Sequence, residues 1–111
     1  MHFRLHVLEN ALRAVTLLRP IVTKIRKHDK NLAEELRDAA NSMVLNIGEA
    51  GYSDPGNQRA RISTASGSTN ECRTSLKLAH AWGYAAEAET TGADTELDLV
   101  AAKLFRLLNP R

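Results

Sequence analysis

Four stretches of this sequence repeat apolar residues three and four positions apart, and clusters of Gly, Pro, Asn and Asp lie between them. That spacing lays an apolar stripe along one face of an α-helix and does not fit the alternation of a half-buried strand. The first stripe is Leu8, Ala11, Val15, Leu18, Val22 and Ile25, widened by Leu12 and Ile21, and it predicts a helix over about 4–28. Pro20 lacks an N–H and crowds the carbonyl of Thr16, yet the stripe stays in phase across it, so one kinked helix is expected rather than two. Leu36, Ala40, Met43 and Ile47, with Leu32, Ala39 and Val44 beside them, predict a second helix over about 32–49. Its start is read as a capping box of Asn31 and Glu34, and its end as Gly48, Gly51 and the cluster Ser53-Asp54-Pro55-Gly56.

Asp54 as cap and Pro55 in the first turn open a third helix over about 55–82, whose stripe is Ile62, Ala65, Thr69, Cys72, Leu76 and Ala79 and whose stop is Gly83. Ala60, Ser63, Ser66, Gly67, Ser68 and Ser75 surround that stripe, small enough for another helix to come close. Gly67 is unfavourable there, by about 1 kcal/mol relative to Ala. Residues 85–93, acidic and rich in Ala and Thr, read as a loop, and Leu97, Val100, Leu104 and Leu107 predict a fourth helix over about 95–108. Four amphipathic helices with short connections make an all-α, antiparallel up-down four-helix bundle, one domain of 111 residues. Helix 3 has apolar or small residues on more than one face, more than a single in-chain contact requires, so association of copies is expected.

Composition agrees with a helical core: 43% of residues are apolar but only 5% aromatic, leaving Leu, Val, Ile and Ala to fill the interior. Cys72 is the sole cysteine, so no disulfide forms within the chain. No apolar run reaches the ~20 residues of a membrane span, and Glu9 and Asn10 stand where a signal peptide needs its apolar centre. A cytoplasmic protein is expected.

The small net charge of +2 hides an asymmetry. Within residues 1–30 seven lysines and arginines face only Glu9 and Asp29, whereas residues 87–98 carry five carboxylates and no Lys or Arg. A basic face attracts phosphates, with Arg13, Lys24, Arg26, Lys27 and Lys30 as the candidate contacts. Alternatively the two charged surfaces are complementary and meet between subunits. No aromatic residues interleave these cations, so base stacking is not expected.

Catalytic chemistry has little to stand on. There is no phosphate loop, no G-x-G-x-x-G and no nucleophile elbow. His2 and His6 share a helical spacing but lack a third ligand nearby, so no metal or other cofactor is expected. Cys72 lies on an apolar stripe and reads as a small core residue. The more informative polar residues are Ser42, Asn46 and Glu49 on helix 2 and Ser68 and Glu71 on helix 3. Embedded in apolar runs, they need partners, and bonds between the two helices or to a neighbouring subunit would fix helix register.

The wording of these two helices is similar to the small bacterial four helix bundle protein family. Ser42, Asn46, Ile47 and Glu49 fit its S-x-x-x-N-I-x-E-G pattern, although Ala50 intervenes before Gly51 and Gly48 stands where alanine is usual. Gly67, Ser68 and Glu71 fit its G-S-x-x-E, and the tracts IRKHDKNLAEELRDAA and LAHAWGY also resemble it. Some members are encoded within large-subunit rRNA intervening sequences, and a more distant relative is the accessory variability determinant of diversity-generating retroelements. The resemblance implies a homopentameric ring that engages RNA, DNA or a protein partner such as a reverse transcriptase, and it implies no reaction. A protein-interaction scaffold without direct nucleic-acid binding is the alternative.

Overall fold

A computed structural model describes residues 2–110, with side chains from residue 6 onward. Four helices account for nearly all of it: α1 His2–Arg26, α2 Lys30–Ala50, α3 Pro55–Trp82 and α4 Glu87–Leu108. Each packs on its neighbours in chain order, and α4 closes the ring against α1. Every packed pair involving α3 or α4 runs antiparallel, because contacts that rise along one helix fall along the other. Asn10, Arg13 and Lys24 meet Lys103, Glu96 and Glu89. Asn46 and Ser42 meet Arg61 and Ser68. Arg59, Arg73 and His80 meet Leu108, Asp98 and Thr90. The long dimension of 42 Å is the length of α3, 28 residues at about 1.5 Å each.

The four stripes converge on one core. Val7, Ala11, Ala14, Leu18, Ile21 and Ile25 are buried on α1, Leu36, Met43 and Ile47 on α2, Ile62, Cys72 and Leu76 on α3, and Leu97, Val100 and Leu104 on α4. Each of the enclosed leucines contributes about 1.5–3 kcal/mol through burial. On α1 the buried face is turned slightly from the expected one. Leu8, Val15 and Val22 are only partly buried, and Leu12 is exposed, because α1 must face α2 and α4 together.

Helix α1 continues through Pro20, as one helix. Helix α2 begins earlier than expected. Its cap is Asp29, in extended conformation, whose Oδ1 accepts from the Leu32 N–H at 2.9 Å. Asn31 is already helical, and Glu34 is drawn to Arg26 instead of back toward a cap. At the other end α2 runs through Glu49 to Ala50. Helix α3 has the expected bounds, with Asp54 Oδ1 accepting from the Asn57 N–H at 3.0 Å.

The largest departure is α4, which starts at Glu87, so most of the expected loop 85–93 is helix. Thr90 and Ala93 extend the stripe of Leu97, Val100 and Leu104 by two more turns and are fully buried. Packing of that stripe outweighs the weak helix propensity of Thr90, Thr91 and Gly92. Glu89 secures the start, its Oε1 accepting from the Ala86 N–H at 2.8 Å.

Candidate nucleic-acid interface

Helix α1 carries three of the five candidate phosphate contacts on its flanks, and each of the three has a carboxylate partner in the same chain. Arg13 Nε donates to Glu96 Oε1 at 2.8 Å, Lys24 Nζ to Glu89 at 2.6 Å, and Arg26 to Glu34 Oε1 at 2.5 Å. Those bonds hold the carboxyl groups of Glu34, Glu89 and Glu96 below the usual glutamate range. The complementarity of the basic segment and residues 87–98 is therefore used within the chain, where the sequence suggested contacts between subunits. The antiparallel seam of α1 and α4 supplies the reason, since it sets the two segments side by side. Lys27 and Lys30, at the α1–α2 turn, are exposed and have no carboxylate within ion-pair distance among the described residues.

The polar residues of α2 and α3 come together only in part. Ser68 Oγ donates to Ser42 Oγ at 2.7 Å across the helix pair. Asn46 Nδ2 donates back to the Ser42 carbonyl at 2.8 Å and also lies 3.2 Å from Ser42 Oγ, while Arg61 reaches Asn46 Oδ1 at 3.4 Å. Ser42, Asn46 and Ser68 are half-buried. Glu49 and Glu71 face solvent and take no part in the network, because their positions fall beyond the edge of the α2–α3 seam.

A tighter polar site lies on the opposite seam. Asn10 is 3% exposed, donates from Nδ2 to Glu96 Oε1 at 3.2 Å and accepts from Lys103 Nζ at 2.5 Å. With Arg13 on the same Glu96 oxygen, four polar side chains tie α1 to α4. The sequence signal was one asparagine at a core-phase position, but its partners lie 86 and 93 residues away.

At the end of the bundle where α1 stops and α4 starts, the chain builds an aromatic stack that the sequence did not suggest. Gly83, at φ +80°, ends α3 in the left-handed region, and the Gly83 and Tyr84 N–H groups return to the carbonyls of His80 and Ala79 at 3.0 and 2.8 Å. This turn sets Tyr84 beside Trp82. Their ring centroids are 6.3 Å apart at 15°, and His28 stacks on Tyr84 at 5.1 Å and 6°. Below the rings a cleft of about 690 Å³ is lined by Lys24, His28, His80, Tyr84, Glu87 and Glu89. His80 Nε2 lies 2.6 Å from the Thr90 hydroxyl, which is also 3.2 Å from the Glu87 carbonyl.

Cys72 is buried, and desolvation pushes its thiol up to about 12. The side chain of His2 lies outside the described residues, and among those described no group of three metal-ligating side chains converges. No described helix is long and apolar enough to cross a membrane.

A ring of four helices, held by polar seams and carrying at one end two lysines unpaired among the described residues, defines a compact four-helix-bundle protein. Residues 4–106 match the family model of the 23S rRNA-intervening sequence protein, and the chain belongs to that family. No curated protein and no solved structure matches it.

Proposed function

We propose that this is a non-catalytic, oligomeric RNA-binding protein of the cytoplasm, acting on RNA or on a ribonucleoprotein. Membership of the intervening-sequence protein family carries the reading. The binding is phosphate-driven, with Arg13, Lys24, Arg26, Lys27 and Lys30 as its contacts and DNA as a weaker alternative ligand. Lys27 and Lys30 take the larger share, since they surrender no in-chain partner. Arg13, Lys24 and Arg26 are 59%, 44% and 39% exposed, and exposed ion pairs are worth about 0–1 kcal/mol, so a phosphate competes for them at small cost.

The copies assemble through the outward face of α3. Ala60, Ser63, Gly67, Asn70, Thr74, Leu78 and Ala81 recur three and four residues apart there and are all exposed. A Cβ on Gly67 would meet nothing within 4 Å, so in-chain packing does not require that glycine, whereas close approach of a second helix does. Family resemblance makes the expected assembly a homopentameric ring. A protein-interaction scaffold is the second reading, favoured by the in-chain neutralisation of three of the five cations. A reverse transcriptase is the partner class that resemblance suggests for it.

Native mass spectrometry together with titration of a labelled single-stranded RNA at low salt tests the proposal. A pentamer that binds the RNA is the expected result. A pentamer that binds neither RNA nor DNA would leave the scaffold reading, and a monomer would end the ring.

A further inference from the structure

Only the inner part of the His28–Tyr84–Trp82 stack serves the core: Tyr84 is half-buried and packs against it, whereas Trp82 is 64% exposed. Exposing a large indole to water is unfavourable unless something covers it. We propose that this end of the bundle is a base-stacking site for single-stranded RNA, in which an unpaired base lies on Trp82 and the flanking phosphates meet Lys27 and Lys30. This rests on the RNA-binding reading above and narrows it to one place on the surface.

Three observations specify the ligand. First, the rings are near-parallel, at 6° and 15°, and the turn at Gly83 fixes two of them, so a flat π-surface exists before any ligand arrives. Second, Lys27 directly precedes His28, the first ring of the stack, and Lys30 follows two residues later, so two exposed cations stand within two residues of that ring along the chain. Third, the adjoining cleft carries Glu87 together with the Lys24–Glu89 ion pair, a net negative balance that favours a neutral base there over a further phosphate. Aromatic rings with two exposed cations close by in the chain and a cleft of net negative charge suit a nucleotide strand better than an acidic peptide, which would lodge a carboxylate beside Glu87. Stacking accepts every base, so the site tolerates sequence. Duplex RNA presents no free base face and binds through phosphates alone.

Trp82 is the only tryptophan, so tryptophan emission, excited where tyrosine does not absorb, reports on this site and no other. A short oligoadenylate carrying a terminal dye is titrated into the full chain, with dye anisotropy and Trp82 emission followed together. The expected result is quenching in step with the anisotropy rise, and much less quenching by a duplex of the same length. Trp82→Leu should weaken binding on the order of tenfold or more, and Trp82→Phe should restore most of it. Binding without quenching, and with Trp82→Leu unimpaired, overturns the stacking site while leaving RNA binding in place. Absence of any anisotropy change at low salt overturns both. If Trp82→Leu does not fold, the comparison of single-stranded and duplex quenching in the wild type decides.

Discussion

Asn10 and Asn46 are two asparagines set in apolar stripes, and their surroundings make them unequal. Asn10 is enclosed and holds two charged partners, whereas Asn46 is half-buried and bonds mainly to Ser42, one turn back on its own helix. Asn10→Leu should destabilise by about 1–3 kcal/mol, because it leaves Glu96 and Lys103 short of a partner at a place water reaches poorly. Asn46→Leu should cost no more than about 1 kcal/mol, since the backbone carbonyl it releases is solvated by neighbouring water. Urea midpoints of the two variants check the order. The Ser42–Ser68 bond between α2 and α3 and the burial of Cys72 were legible from spacing, whereas Asn46 turning back to Ser42 on its own helix was not. The Asn10 site was not, because periodicity identifies a core-facing asparagine but not which of many distant side chains will face it. Cys72 should react with a thiol reagent in the native protein only as fast as the protein opens, and fully on denaturation. Glu34, Glu89 and Glu96 have carboxyl groups held low, chiefly by hydrogen bonds from Arg26, Lys24 and Arg13 respectively. A depressed folded-state value adds stability at neutral pH. That stability is lost as pH falls below about 4.3, the ordinary glutamate value, through the lowered ones. The urea midpoint should therefore drop in acid, and neutralising all three glutamates to glutamine should flatten the drop.

Element boundaries depend on which competing cap wins. At the start of α2 both Asp29 and Asn31 have suitable side chains, and Asp29 prevails because Arg26 has already engaged the glutamate that an Asn31 box would need. At the start of α4 the composition of residues 85–93 suggested a loop, yet Thr90 and Ala93 were in phase with Leu97 all along. A small, partly polar stripe carries a weak signal on its own and becomes decisive only once α1 and α3 enclose it. The four stripes themselves, and the bounds of α3, were readable because apolar spacing is a local property. Ala86, the α4 cap position, is exposed, extended at φ −82° and ψ 152°, and has no side-chain acceptor. Ala86→Ser should supply one and raise stability by about 0.5–2 kcal/mol, measurable as a higher thermal midpoint.

For the whole molecule, the sequence contained the bundle but not its surface. The five candidate cations were visible as a charge surplus, while their division into paired and unpaired groups arises only when α2 and α4 fold against α1. Likewise His28 and Tyr84 are distant in sequence and share a stack only because two loops meet at one end. Gly67 links stability to assembly. Gly67→Ala should stabilise an isolated bundle by about 1 kcal/mol and yet weaken the oligomer, as seen by native mass at falling concentration. Unimpaired assembly would remove α3 from the interface. The central claim, that free cations at the α1–α2 turn lead RNA binding, is tested most directly by how affinity depends on salt. The slope of log affinity against log salt should fall by about 1.4 when Lys27 and Lys30 are both changed to Gln, two single-strand phosphate contacts at about 0.7 each per copy engaged. Changing Arg13 and Lys24 to Gln should alter it much less. Equal effects from the two pairs, or a wild-type slope near zero, would contradict the account.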